Sequence, residues 1–367
     1  MTATPKWDRC IYHIGDDVES FFRDYFASNT RNILLVGGAG FDPRSTLIAS
    51  LLSEIAGEQT QGFFLREERP SPDAMLVSKA NENQALLKKL ISNSTFTPLE
   101  IFAAEAVAGG RTAVGLINGI DLGPITDVVV DLSALSIGVA FPLIRFVFEI
   151  AQSTGKNLHL VVVDEPATDV QIKATSSDMP TTILGFKGGW ELDRYSNAAR
   201  LWMPQLSLSQ KSILDRIHSR VSPHAVCPIL PFPATVPRLA DNLIEHYGDL
   251  LQSPWQVDAR DMVYASERCP VDLYRTILRI DDARTRVFAE TGGSQIILSP
   301  VGSKALAIGA LMAALERDFT VMYIESLNYS VDFMQLEETR IRETAKLVHV
   351  WLHGEAYETS AKEASEQ

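Results

Sequence analysis

Glycines, hydroxyls and a basic residue gather at two points where an apolar strand gives way to a helix, and each point has the makings of an anion site. The first is Gly37-Gly-Ala-Gly-Phe-Asp-Pro-Arg-Ser-Thr46, which follows the run Asn32–Val36 and leads into a helical stretch over Ser45–Ala56. Glycine permits tight turning and close backbone approach, and the unpaired N–H groups of a helix start attract negative charge. Arg44 adds a planar, permanently charged fork suited to phosphate or carboxylate. Gly38, Gly40, Asp42 and Arg44 are therefore candidate ligand residues. The dinucleotide pattern G-x-G-x-x-G fits Gly38 and Gly40, with Pro43 where a third glycine belongs. The phosphate-loop pattern G-x-x-x-x-G-K-[ST] can be laid over Gly38–Ser45, with Pro43 replacing glycine and Arg44 replacing lysine. Proline removes a backbone donor and arginine is not a point charge, so the segment also reads as a structural turn with Arg44 paired to a nearby acid.

The second point is Leu298-Ser-Pro-Val-Gly-Ser-Lys304, which continues into an apolar helix over Ala305–Leu315. Ser299, Gly302, Ser303 and Lys304 surround its start. A lysine in the first turn opposes the helix dipole unless an anion or a carboxylate accompanies it, so an anion ligand and a structural ion pair are the two readings.

Acids sit after two further strands, in Asp131-Leu-Ser133 and Asp164-Glu165-Pro166. In open parallel sheets ligands lie beyond the carboxyl ends of the strands, so Ser133 joins the candidate ligand residues. Asp131 and Asp164 become catalytic candidates only if the chain is an enzyme, with magnesium implied in that case alone. Capping of the following helix is the structural alternative for all three. No resident cofactor is indicated beyond a nucleotide-like ligand. The seven histidines are scattered, and His349 and His353, though four apart, fall on a strand-like run without the glutamate of H-E-x-x-H. No metal site is expected. Cys10, Cys227 and Cys269 are odd in number and widely spaced, as reduced thiols would be, and no G-x-S-x-G nucleophile elbow occurs.

Short β-branched runs alternate with longer amphipathic stretches throughout, which predicts an α/β fold of two Rossmann-like lobes with mostly parallel sheets and helices on both faces. Strands at Asn32–Val36, Gly62–Leu65, Asp127–Asp131 and Leu158–Asp164 form the first lobe, residues 1–180. A glycine-bearing connection with Gly185, Gly188 and Gly189 follows. Strands at Arg200–Met203, Ala225–Leu230, Met262–Tyr264, Gln295–Leu298 and Thr320–Ile324 form the second, residues 200–353, with Leu347–Leu352 as its closing edge. Residues 355–367 read as a flexible tail.

At 367 residues, two domains are expected. A net charge of −13 argues against general nucleic-acid coating. No apolar leader opens the chain, and the apolar run Ile125–Phe148 is interrupted by Asp127, Asp131, Pro142 and Arg145. A cytoplasmic protein that does not enter membranes is expected.

The strand, Gly-Ser-Lys loop and helix from Thr291 to about Phe319 resemble the ligand loop of CARF-type domains, which sense cyclic oligonucleotides in prokaryotic defence. Thr291-Gly-Gly-Ser-Gln is similar to a Thr-Gly-Gly-Thr-Lys run of that family, with Gln295 in the lysine position. No HEPN-like Arg-x4-His or TIR signature follows. The resemblance implies binding of a phosphate-bearing, nucleotide-like ligand by a sensor or regulatory subunit, with a protein partner or a second copy of the chain. A nucleotide-processing hydrolase or transferase with a degenerate phosphate loop, and an assembly subunit with relic sites, are the alternatives.

Overall fold

The computed structural model describes residues 4–28, 30–104, 106–187, 197–333, 341 and 343–357. Gly188, Gly189 and the tail beyond Tyr357 lie outside them.

In chain order the strands and helices begin with β1 (Ile11–Ile14), α1 (Asp16–Phe26), β2 (Ile33–Gly38), α2 (Leu47–Ala56), β3 (Thr60–Glu68), α3 (Ala74–Leu90) and β4 (Ser94–Glu100). A small hairpin of β5 (Phe102–Ala103) and β6 (Ala106–Val107) leads to α4 (Gly109–Asn118), β7 (Asp127–Asp131), α5 (Ile137–Thr154), β8 (Asn157–Asp164), α6 (Pro166–Gln171) and β9 (Ile172–Ser176). Next come β10 (Thr181–Thr182), β11 (Ala199–Pro204), α7 (Lys211–Val221), β12 (Ala225–Val226), β13 (Ile229–Pro231), α8 (Leu239–His246) and α9 (Gly248–Gln252). The remainder is β14 (Val263–Ala265), α10 (Pro270–Phe288), β15 (Ser294–Ser299), α11 (Lys304–Arg317), β16 (Thr320–Tyr323), β17 (Ser326–Val331) and β18 (Lys346–His353).

These elements make a globular α/β fold with mixed parallel and antiparallel sheets. Two compact units divide the chain: Cys10–Thr175 with Leu327–Gln367, and Met1–Arg9 with Ser176–Ser326.

The first unit is built on a seven-stranded sheet ordered β1-β18-β8-β7-β2-β3-β4. Strands β8, β7, β2, β3 and β4 are parallel, whereas β18 runs antiparallel to both β8 and β1. Every residue of β2, β7 and β8 is buried, as parallel strands covered on both faces must be. Ile33, Leu35, Val129, Val161 and Val163 pack with Val18, Phe22 and Phe26 of α1 and Ile48 and Leu52 of α2. Helix α5 has 18 residues of mean hydropathy 1.3, long and apolar enough to cross a membrane, and 56% of it is buried inside the fold.

The second unit holds a five-stranded sheet ordered β10-β16-β15-β11-β12, parallel except for β10. Trp202, Leu214, Ile217, Leu243, Tyr247, Trp255 and Ile297 form its core on one side.

The structure departs from the sequence expectation in four places. β18 lies in the first sheet, not with residues 200–353, because its partners are β8 and β1. β1 and β4 join that sheet as well; both are short or carry little of the apolar alternation that marks a strand in sequence, and β4 contains Pro98. The run Ala225–Leu230 divides into β12 and β13, since Pro228 has no N–H for a ladder, and β13 pairs with β14 in a separate parallel ribbon. Glu355–Tyr357 are tied down rather than loose: Arg31 meets the Glu355 carboxylate at 2.6 Å, and Ile11 N donates to Tyr357 Oη at 3.2 Å.

Candidate functional site

The glycine-rich loop ends at the carboxyl edge of β2, where Asp42 caps a 3-10 turn over Pro43–Thr46. Its carboxylate accepts from Arg44 N at 3.0 Å and from Arg44 Nε and Nη2 at 3.0 and 2.7 Å. On the other side of the guanidinium, Nη1 donates to Asp169 at 2.8 Å. Arg44 is only 3% exposed. Burial disfavours its charge, but the two carboxylates outweigh that and raise its pKa above the ordinary arginine value. The Asp42 carboxylate thus occupies the position at the turn's N-terminus that an incoming anion would take. One guanidinium between two carboxylates also leaves the trio net negative, which opposes a phosphate. Asn83 completes the loop by donating to the carbonyls of Gly40 and Asp42.

Asp131 and Ser133 lie beside this loop at the end of β7. Ser133 N donates to Asp131 Oδ1 at 2.9 Å, the Ser133 hydroxyl donates to the same oxygen, and Val163 N donates to Ser133 Oγ at 2.8 Å. Ser133 is therefore a structural pin between β7 and β8. Asp164 is buried at the end of β8. Glu165, one residue on, caps α6 through Thr168 N at 2.6 Å and accepts from Thr344 Oγ1. Gly38, Gly40, Asp42, Arg44, Asp131, Ser133 and Asp164 thus all lie at the carboxyl edge of one parallel sheet.

Ser299, Gly302, Ser303 and Lys304 lie together in the other unit, between β15 and α11. Ser299 is fully buried and accepts from Trp202 Nε1 at 2.9 Å. Ser303 caps α11, accepting from Leu306 N at 3.4 Å, and its hydroxyl reaches Glu267 O at 3.5 Å. Gly302, Ser303 and Lys304 are each part-exposed. Beneath Gly302 lies Gln205, just past β11, only 1% exposed, with no hydrogen-bond partner for either Oε1 or Nε2. A methyl group added at Gly302 would stand 3.3 Å from Gln205 Oε1. The glycine therefore leaves room directly above the buried amide. Gln205 escaped the sequence reading because glutamine after a strand carries no pattern of its own.

Three histidines that look scattered in sequence also converge, in the first unit. His13 of β1, His349 of β18 and His159 of β8 form a row ending at Asp127 of β7. His353 of β18 lies outside this row and packs edge-on to Phe148. Among the described residues, no cluster of three or more His, Cys, Asp or Glu has the arrangement of a metal site. Burial pushes the Cys227 thiol up to about 12, which keeps it protonated and unreactive. An open groove of about 420 Å³ lines the second unit near Lys211, Asp215 and Asp249, where Lys211 is already bound to Asp249 at 2.5 Å.

No family model matches the chain, and no curated protein does. Among solved structures it is similar to a protein described as an rRNA-methylase from Clostridium thermocellum, at 12% identity, TM-score 0.24, covering 44% of this chain and 73% of that one. It is similar to a protein described as a universal stress protein from Pseudomonas aeruginosa UCBPP-PA14, at 8% identity, TM-score 0.25, covering 85% and 97%. A third is Phytolacca americana UGT2 complexed with UDP-2fluoro-glucose and pterostilbene, at 10% identity, TM-score 0.23, covering 85% and 89%. Likeness at these scores carries no argument about what this chain does.

Proposed function

We propose that the chain is a cytoplasmic sensor or regulatory subunit of two Rossmann-like lobes that binds a small phosphate-bearing ligand at the start of α11. The observation that carries this reading is the buried, unbonded amide of Gln205 beneath Gly302. An unmade hydrogen bond on a buried polar group costs about 1–3 kcal/mol, so such groups gather where a ligand or an ordered water completes them. Here the amide adjoins a glycine, the first-turn N–H groups of a 14-residue helix and the ammonium-bearing Lys304, which together favour an anion. The resemblance of residues 291–319 to CARF-type domains supports the same loop and a nucleotide-like ligand. A role in prokaryotic defence, and a partner protein or second copy to receive the signal, rest on that resemblance. Binding is preferred to turnover because Asp131, needed by the enzymatic alternative, is engaged by Ser133.

Calorimetric titration of the full chain with inorganic phosphate, ATP and cyclic oligoadenylates tests the proposal. At least one of these probes binds, and Lys304→Ala weakens it about tenfold or more, the equivalent of roughly 1.5–3 kcal/mol for a charge-assisted contact. Gln205→Met also weakens binding, yet raises the stability of the ligand-free protein by about 1–3 kcal/mol because an unsatisfied amide is removed. Absence of heat with all three probes, or affinity unchanged in both variants, would sink the site.

A further inference from the structure

We propose that His13, His349 and His159 form a directed proton row across β1, β18 and β8 that accepts one proton at its outer end and releases the antiparallel edge of the sheet when a second enters. The distances are 3.0 Å from His13 Nδ1 to His349 Nδ1, 3.0 Å from His349 Nε2 to His159 Nδ1, and 3.4 Å from His159 Nε2 to Asp127 Oδ1. Only one arrangement of neutral rings satisfies all three contacts. Asp127 is a carboxylate and can only accept, so His159 carries its proton on Nε2 and leaves Nδ1 bare. His349 must then donate from Nε2, which leaves its own Nδ1 to accept from His13 Nδ1–H. Every proton points toward Asp127, and the unoccupied lone pair of the row is on Nε2 of His13, the only one of the three rings that is part-exposed.

Burial would raise the Asp127 carboxyl, but hydrogen bonds from His159, Thr126 and Tyr25 outweigh it and hold it below the usual carboxylate range. Tyr25 Oη donates to Asp127 Oδ1 at 2.9 Å, and Thr126 Oγ1 to Oδ2 at 2.6 Å. The other charged groups facing the row are Asp17 from α1, Arg31, and Glu355 beyond β18. Phe21 of α1 stacks on both His13 and His349, and Trp351 packs against His159, so no water path to the inner rings is offered by these faces.

A first proton on His13 Nε2 leaves every bond intact, since His13 still donates from Nδ1. A second proton finds only nitrogens that already accept a hydrogen bond from the next ring. It would set two N–H groups head to head at 3.0 Å on His349 or His159, both fully buried. The contacts that fail lie between β1 and β18 and between β18 and β8, where β18 is held on both sides by antiparallel pairing.

The sign of the pH effect follows. Burial lowers the pKa of all three rings in the folded protein, that of His349 well below the ordinary value of 6.5. The unfolded chain therefore takes up these protons first, and stability is fully present above about pH 6.5 and is lost as pH falls below it.

The test is long-range nitrogen–proton NMR on the full chain labelled at histidine, with amide exchange followed from pH 8 to 5. The expected tautomers are Nδ1–H for His13 and Nε2–H for His349 and His159. Exchange protection of the β1 and β18 amides, corrected for intrinsic rate, falls tenfold or more between pH 7 and 5.5, while that of β2 and β3 does not. His349 found as the Nδ1–H tautomer would overturn the row, and protection that falls equally in β2 and β18 would overturn the release of the edge.

Discussion

Replacing Arg44 by methionine is expected to destabilise the first unit by about 3–5 kcal/mol. Methionine keeps much of the buried volume, so the loss isolates the charge. Arg44 is held by Asp42 at 2.7 Å and by Asp169 at 2.8 Å, and both Arg44 and Asp42 are buried. Without the guanidinium, the buried Asp42 carboxylate loses its charged donors at Nε and Nη2 while keeping the backbone N–H of residue 44. Breaking a buried pair from one side costs more than the pair itself contributes, because the remaining charge is uncompensated. A second change, Asp42→Asn with Arg44→Met, should return more than half of the loss, since asparagine can still cap the turn without carrying charge. Urea denaturation of the two variants measures both effects. A loss below about 1 kcal/mol for Arg44→Met would mean that the pair is exposed in solution, and would return Arg44 to consideration as a ligand residue.

Gly38→Ala and Gly40→Ala should behave oppositely, although both lie in the same glycine-rich loop. A methyl group at Gly38 would stand 2.5 Å from the Ala134 carbonyl oxygen and 2.8 Å from its carbon, both backbone atoms, whereas nothing lies within 4 Å of the corresponding position at Gly40. The Gly38 substitution must therefore push the loop after β7 away from β2, with an overpacking cost of about 1–3 kcal/mol or more. Gly40→Ala should change stability by less than about 1 kcal/mol, in either direction. Thermal or urea melts of the two variants separate them. Equal losses would show that the loop's conformation, not its approach to Ala134, sets the requirement for glycine. The contrast also reinterprets the motif: Gly38, one of the two glycines that fit the dinucleotide pattern, is required by a neighbouring loop of the same fold.

Local pattern was sufficient to find most of the regular elements. The β-branched runs at Ile33–Val36, Asp127–Asp131 and Leu158–Asp164 are strands because their side chains are apolar on both faces, and that information is contained within each run. Helix α11 is legible over Ala305–Leu315, whose small and apolar residues leave no polar face, as a helix buried on all sides requires, whereas the capping role of Ser303 is not, since its hydroxyl reads in sequence as a ligand group. The glycine-rich loop is legible as a turn, one of its two readings in sequence, but not the capping of that turn by Asp42, whose carboxylate reads there as a ligand group.

What sequence could not supply was the identity of partners distant along the chain. The pairing of Arg44 with Asp169 spans 125 residues, and either acid or phosphate satisfies the same guanidinium equally well in a sequence pattern. His13 and His349 are 336 residues apart, and nothing in the spacing of seven histidines singles out the three that meet. β18 illustrates the same limit: its apolar run predicts a strand, but an edge strand of either sheet would have that composition. The sequence by itself determined which segments are strands and helices and which loops carry phosphate-compatible residues, because periodicity and capping are short-range. Only the tertiary structure decided which of those residues are already engaged by their own chain and which, like Gln205, are buried with hydrogen bonds unmade, because satisfaction of a polar group depends on neighbours that folding alone brings within 3 Å.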